Sequence, residues 1–327
     1  MLLAGDLGGT KTHLGLFAPG DRRPTERVVR EFATLDYRDL PSMISAFLAG
    51  TGVAPGDISG ACFGVAGPIH AGVATLTNVP WRVVARDIVE RNGVPAVALL
   101  NDVEALAHAV PTLEGDELAT LHPGTPAPDG NAALITVGTG CGHAFLHKVE
   151  GRVVPMPSEG GHADFAARTP REIQLLEHLT TRFGRVDVER VVSGPGLANV
   201  AEFTHGGPCG LHAGIDDAAA LPAAISQAAL DGRCARCREA LDLMIGALGA
   251  AAGNAAILSV ARGGVFIGGG IPPKILPALQ SDLFVAPFRT KPPMHELLAA
   301  IPVFVILHRR AGLLGAAVHA AWRNRLR

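Results

Sequence analysis

Leu2-Leu3-Ala4-Gly5-Asp6-Leu7-Gly8-Gly9-Thr10-Lys11-Thr12 is an apolar run that delivers one carboxylate to a glycine turn. The run reads as a strand, and the glycines after it let backbone N–H groups approach an anion that a Cβ would hold off. A carboxylate beside that anion suits a hydrated Mg²⁺, so Asp6 reads as a metal residue acting through water on a nucleotide phosphate. A second apolar run, residues 132–137, ends in Gly138-Thr139-Gly140-Cys141-Gly142. Both turns lead into another strand-like segment, and two such loops can hold one polyphosphate.

Around the first turn, residues 2–6, 13–17 and 27–32 read as successive strands, followed by a helix over 40–48 and a strand over 60–66. A helix is expected over about 83–91. Residues 96–100 are continuously apolar, as in a strand covered on both faces, and 103–110 resume helical spacing. That order makes an α/β domain with a mixed sheet. The Pro- and Gly-rich stretch 121–131 reads as a surface excursion near a boundary. Beyond it come two strands, a glycine loop at Glu159-Gly160-Gly161, and helices over 171–183 and 195–203. A long helix follows, then Val265-Phe266-Ile267 running into Gly268-Gly269-Gly270, a strand over 303–307 and a helix over 312–322. The last strand and helix are expected to rejoin the first sheet. The paired turns are the one hint of internal duplication.

At 327 residues and 48% hydrophobic, the chain has the material for two medium domains with real cores. Its 28 basic and 30 acidic residues give a net charge of −2 without a basic stripe, so no nucleic-acid partner is expected. The N-terminus lacks the features of a signal peptide, and five cysteines do not make a disulfide framework; a cytoplasmic protein fits best. Residues 240–261 are nearly uncharged and contain Gly249-Ala250-Ala251-Ala252-Gly253, a spacing also found where membrane helices pair. Mostly Ala and Gly, and interrupted by Asp242 and Asn254, they read as a buried helix with close-packing small residues, and no membrane partner is expected.

Asn101-Asp102 stands where the apolar strand ends and a helix begins. Asp102 there projects into the crevice at which open α/β sheets bind ligands, or else caps the helix, a role that Asn and Asp also favour. Glu159 and His162 flank Gly160-Gly161 and bring an acceptor and a titratable group to one point. Glu189 precedes Ser193-Gly194-Pro195-Gly196, a turn into a helix. Each of these residues, taken alone, also fits a solvated loop.

Taken in order, Asp6-Leu7-Gly8-Gly9-Thr10, Leu100-Asn101-Asp102-Val103-Glu104-Ala105, Gly138-Thr139-Gly140-Cys141-Gly142-His143-Ala144, Glu159-Gly160-Gly161-His162-Ala163-Asp164-Phe165 and Glu189-Arg190-Val191-Val192-Ser193-Gly194-Pro195-Gly196-Leu197 resemble the bacterial glucokinase family. The resemblance runs from end to end and continues through Cys234-Ala235-Arg236-Cys237, the segment 263–271 and Gly312-Leu313-Leu314-Gly315-Ala316. It implies the two-domain hexokinase/actin-like (ribonuclease H-like) α/β fold with a cleft between domains. It also implies transfer of the γ-phosphate of ATP to the 6-hydroxyl of glucose. By matching motif, Asp102 becomes the general base, and Asn101, Glu159, His162 and Glu189 bind sugar hydroxyls. Gly8, Gly9, Thr10, Lys11 and Thr12, with Gly138, Thr139 and Gly140, hold the phosphates of Mg²⁺-ATP, and Gly269 and Gly270 lie against the adenosine. The implied small domain is 1–111 plus 301–327 and the large one 112–300, in a protein that forms a homodimer.

The chemistry is coherent without the family. A sugar hydroxyl is a poor nucleophile until a positioned carboxylate takes its proton, and a strand-end Asp is held more rigidly than one on a free loop. Phosphoryl transfer needs the charge neutralisation that amides and a cation supply. A kinase for another hexose, such as mannose, fructose or an amino sugar, fits the same residues. A non-catalytic sugar sensor would normally add a DNA-binding helix-turn-helix, for which a chain starting at the first strand leaves no room. Cys234-x-x-Cys237 lacks a second Cys pair or paired His spacing and reads as structural thiols. Related sugar kinases with a zinc loop carry several Cys soon after the sugar-site His; residues 163–200 have none, so zinc is not expected. Lys11 reads as a phosphate contact or a solvated turn residue, and Cys141 as a packing thiol where the family more often has an aliphatic residue. His308-Arg309-Arg310 departs from the more acidic and polar stretch expected before Gly312.

Overall fold

In the computed structural model, all residues are described except 77–78, 213–214, 216, 218–219 and 326–327. The chain divides into two units, one made of Met1–Glu114, Val153–Pro157 and His308–Arg327, the other of Gly115–Arg152 and Ser158–Leu307.

In the first unit, β1 (Leu2–Leu7) turns back into β2 (Lys11–Ala18), which pairs with β3 (Thr25–Ala33). Then come helix α1 (Leu40–Thr51), β4 (Gly60–Val65), a small meander of β5 (Ile69–His70), β6 (Val73–Thr75) and β7 (Arg82–Val84), helix α2 (Ala85–Asn92), β8 (Val97–Asn101) and helix α3 (Asp102–Ala109). The main sheet has the order β3-β2-β1-β4-β8, with β1, β4 and β8 parallel. Strand alternation sorts β1 into two cores. Leu3 and Leu7 face Met43, Ile44 and Phe47 of α1, while Leu2 and Ala4 face Leu313, Ala316 and Ala317 of the C-terminal helix (Ala311–Arg325). Each fully buried Leu contributes about 1.5–3 kcal/mol. A Cβ at Gly315 would overlap the carbonyl oxygen of Ala105, so this glycine is what lets the C-terminal helix lie against α3.

The second unit opens with β9 (Leu118–His122), followed by β10 (Ala132–Val137) and β11 (Cys141–Val149); next in the chain is β12 (Arg152–Ser158), whose Val153–Pro157 are grouped with the first unit. Its helices are α4 (Pro170–Phe183), α5 (Gly194–His205), α6 (Leu221–Leu230) and α7 (Ala235–Ser259), then, after β13 (Gly264–Gly268), α8 (Leu276–Leu279), α9 (Asp282–Arg289) and α10 (His295–Ala300). The strand β14 (Val303–Ile306) closes the sheet order β12-β11-β10-β13-β14-β9. Helix α7 is long and apolar enough to cross a membrane, yet 72% of its most apolar window is buried. Gly249 and Gly253 form the notch that α9 occupies: a Cβ at either would overlap the carbonyl oxygens of Phe284 and Phe288.

Three expectations are corrected. The strand at 303–306 does not rejoin the first sheet; it pairs in parallel with β13, and buried Val303 and Val305 complete the second core, so only the final helix returns. The boundaries accordingly fall after Glu114 and before His308, not at 111 and 301. The excursion at 121–131 begins inside a strand, β9, whose antiparallel partner β14 lies far along the chain, where local sequence gives no hint of it.

Candidate active site

Because β1, β4 and β8 are parallel, their carboxyl ends share one edge, where Leu7, Val65 and Asn101 stand side by side. Asp6 lies one residue before that line and Asp102 one residue beyond it. Asn101 caps α3: its Oδ1 accepts the Val103 N–H at 2.9 Å and its Nδ2 donates to the Gly67 carbonyl at 3.4 Å. Capping therefore falls to Asn101, and Asp102 is the first residue of the helix, half-buried, with Oδ1 also 2.9 Å from the Val103 N–H. Burial, and next the Asp102 charge, push the Asp6 carboxyl up to about 6, with His13 pulling the other way. Gly312, in the first turn of the C-terminal helix, leaves the room: a Cβ there would stand 3.1 Å from an Asp6 oxygen. Two neighbouring carboxylates at a helix N-terminus are hard oxygen donors whose mutual repulsion a cation relieves, so this pair fits Mg²⁺.

The turn between β1 and β2 is tied from beneath. Gly8 N–H donates to the Lys11 carbonyl at 3.0 Å, and Thr34 Oγ1 donates to the Gly8 carbonyl at 2.9 Å. Thr12, fully buried, meets the Thr34 hydroxyl at 2.9 Å and so braces the turn, while Thr10 stands exposed at its tip and Gly9 is half-buried. Lys11 Nζ lies 2.6 Å from Glu31, both exposed. Thr34 escaped sequence reasoning because only the β2–β3 register, which sets Lys11 against Ala33, brings it here. Arg310 of the divergent 308–310 stretch donates from Nη2 to both carboxylate oxygens of Glu26 of β3 at 2.9 and 3.0 Å, joining the entry of the C-terminal helix to the sheet.

In the second unit, Gly138 N–H donates to the Gly140 carbonyl at 2.9 Å, and the Gly138 carbonyl accepts from Gly194 N–H, at the start of α5, at 2.8 Å. Thr139 is exposed at the tip. Glu189 supports this turn, accepting the Cys141 N–H at 2.8 Å. Residues 161–165 and 186–189 run antiparallel, with the N–H groups of Phe165, Val188 and Glu189 donating to the carbonyls of Val186, Ala163 and Gly161 at 2.9–3.0 Å. This ladder brings Glu189 and His162 together. Gly161 packs so closely on the Cys141 carbonyl that a Cβ would overlap it. Glu159 is exposed at the head of the short turn Gly160–His162. His162 Nδ1 lies 3.1 Å from Asp187, which holds the imidazole above its ordinary pKa by hydrogen bonding. Asp187 is a second residue that sequence reasoning missed; its position two before Glu189 was the available signal. Burial, then Glu189, push the Cys141 thiol up to about 12, which makes it a packing group. After β13, Gly269 adopts φ +93° against the backbone of Val137, and Gly270 faces open space.

One cluster lies outside these groups. His205, Cys209, Cys234 and Cys237 bring their ligand atoms within 4.8 Å of one another. In space the Cys234-x-x-Cys237 pair is accompanied after all, by His205 at the end of α5 and by Cys209 four residues beyond it, neither of them adjacent in sequence.

The glucokinase family profile matches residues 3–323 of this chain. The chain belongs to the glucokinase family. It is similar to a glucokinase of Nostoc sp. (strain PCC 7120), 38% identical over 339 residues that span 98% of this chain and 99% of the relative. The crystal structure of a glucokinase from an Antarctic psychrotroph superposes with a TM-score of 0.86 at 30% identity, covering 98% of both chains. A ROK-family glucokinase from Streptomyces griseus, solved with glucose and AMPPNP, shares the fold at TM-score 0.62 and 20% identity, over 98% of this chain and 99% of that one. The glucokinase-family chain therefore has the actin-like ATPase fold of sugar kinases, and it is an enzyme that phosphorylates a hexose.

Proposed function

We propose that this enzyme transfers the γ-phosphate of ATP to the 6-hydroxyl of glucose, with Asp102 as general base. The supporting observation is the strand-end carboxylate itself: Asp102 is half-buried at the edge shared by three parallel strands, beside Asp6, whose proton affinity it raises. Asp102 takes the hydroxyl proton as the oxygen forms its bond to phosphorus and ADP departs. Asn101, Glu159, His162 and Glu189 orient the sugar; a missing or inverted hydroxyl then leaves polar groups unpaired, which gives discrimination. Backbone N–H groups of the two glycine turns, with Lys11 and the threonines, hold the phosphates, and Gly269 and Gly270 flank the adenosine. Bound Mg²⁺ would neutralise phosphate charge, with Asp6 holding it through water. The Streptomyces griseus enzyme, with glucose and AMPPNP together, supports both substrate assignments. On this reading the enzyme works in the cytoplasm as a homodimer, which sedimentation of the purified protein tests.

The deciding experiment is a steady-state panel of sugars against phosphoryl donors, with and without Mg²⁺. Glucose with Mg²⁺-ATP is expected to give the highest kcat/KM. A folded protein that prefers mannose, fructose or an amino sugar, or that uses ADP or polyphosphate instead, rejects the assignment.

A further inference from the structure

We propose that His205, Cys209, Cys234 and Cys237 form a structural Zn²⁺ site that staples the end of α5 to the start of α7. Zinc bonds of about 2.3 Å to sulfur and about 2.0–2.1 Å to nitrogen set tetrahedral edges of roughly 3.7 Å between sulfurs and roughly 3.5 Å between sulfur and nitrogen. Here Cys209 Sγ and Cys237 Sγ are 3.9 Å apart, and His205 Nε2 lies 3.3 Å from Cys234 Sγ and 3.9 Å from Cys237 Sγ. Three of the six edges are thus within about 0.4 Å of those of a zinc coordination shell, and with no pair of ligand atoms beyond 4.8 Å the four need only close by small side-chain shifts around an ion.

The surroundings orient the ligands. His205 Nδ1 lies 2.7 Å from the Ala201 carbonyl and donates its proton there, which leaves the Nε2 lone pair directed at the sulfurs. Cys234 Sγ, at the N-cap of α7, accepts the Cys237 N–H at 3.4 Å. Arg236 donates to the His205 carbonyl at 2.7 Å, and Thr204 Oγ1 to the Arg236 carbonyl at 3.0 Å, so the two chain segments meet around the cluster. Three thiols and an imidazole select a soft divalent ion such as zinc over magnesium. The role is structural because of distance: α5 has 12 residues, so the cluster lies about 18 Å along that helix from the Gly138 contact at its start.

The test is metal analysis of the full-length protein purified without chelator, with Co²⁺ exchange to read out thiolate ligation. One zinc per chain and a thiolate-to-cobalt charge-transfer band are expected. Cys209→Ser and His205→Ala should each lose at least about tenfold in zinc affinity, as removal of groups orienting a metal already does, while Cys62→Ser keeps wild-type stoichiometry. Should those variants not fold, the wild-type protein still decides: chelation is expected to lower its melting temperature by roughly 5–10 °C, with recovery on adding Zn²⁺. A metal-free protein whose melting temperature ignores Zn²⁺ overturns the proposal. So does zinc stoichiometry unchanged in Cys209→Ser, or a Cys209–Cys237 disulfide in protein purified under reductant.

Discussion

In the first unit the strand that enters the glycine turn brings its own carboxylate, Asp6, and the turn is braced by the hydroxyls of Thr12 and Thr34. In the second, the strand entering Gly138 carries no acid; Glu189 arrives through the ladder with residues 161–165 and accepts the Cys141 N–H. The sheets beneath are alike, since β3-β2-β1-β4-β8 and β12-β11-β10-β13-β14 follow the same order around their parallel strands. The duplicated scaffold thus supports two kinds of turn. One concentrates negative charge from Asp6 and Asp102, and the other uses an acid to hold its own backbone in place.

The largest expected effect separates these roles. Asp102→Asn should lower kcat by about 10²–10⁴-fold with glucose binding nearly unchanged, whereas Glu189→Gln should mainly raise the KM for glucose. Steady-state kinetics with calorimetric glucose titration checks this, and an equal loss of kcat in both variants would erase the contrast.

Glycine substitutions sharpen it next. A Cβ at Gly8 would stand 2.8 Å from the Lys11 carbonyl, which is backbone within the same turn, so Gly8→Ala should cost about 1–3 kcal/mol in denaturant unfolding. At Gly140 the Cβ would stand 2.7 Å from a Glu189 oxygen, the far end of a side chain. Gly140→Ala should therefore leave stability nearly intact and raise the glucose KM about tenfold, the equivalent of one charge-assisted hydrogen bond. Similar unfolding losses at both positions would contradict the distinction.

Titration tests the charged side. Asp6 should titrate near pH 6 by carboxylate NMR, and Asp102→Asn should move that value down, because Asp102 is one cause of the elevation. Its folded pKa exceeds the unfolded 3.8, so its contribution to stability is present at low pH and is lost as pH rises through about 6. The buried pair His108 and His319, 2.9 Å apart between α3 and the C-terminal helix, works in the opposite direction. Burial depresses these imidazoles to about 4 and about 3, so their stabilisation is present above 6.5 and is lost as pH falls through the folded values. Melting temperature should fall on acidification below pH 6.5, and His319→Gln should flatten that slope; an unchanged slope would remove the pair as its source.

The smallest effect belongs to Lys11. An exposed pair with Glu31 is worth about 0–1 kcal/mol, so Lys11→Ala should shift the melting temperature by no more than about 3 °C. A larger loss would mean that Lys11 braces the turn as Thr12 does.

Local pattern alone disclosed both strand-turn-strand motifs, the apolar strand at residues 2–6, the change from strand to helix at Asn101-Asp102, and the small-residue face of α7. These features depend on chain neighbours a few residues apart, where glycine conformation and side-chain period act directly. Three-dimensional pairing decided the rest. Val303 and Val305 would suit either core, and only the register with β13 assigns them to the second. Thr34 and the partners of Cys234 and Cys237 carry no local signal, and Asp187 only its place two before Glu189, because their significance is a distance to residues remote in sequence. Hydrogen bonds and metal shells are set by atoms within a few ångströms of one another, whereas a sequence specifies separation only along the chain.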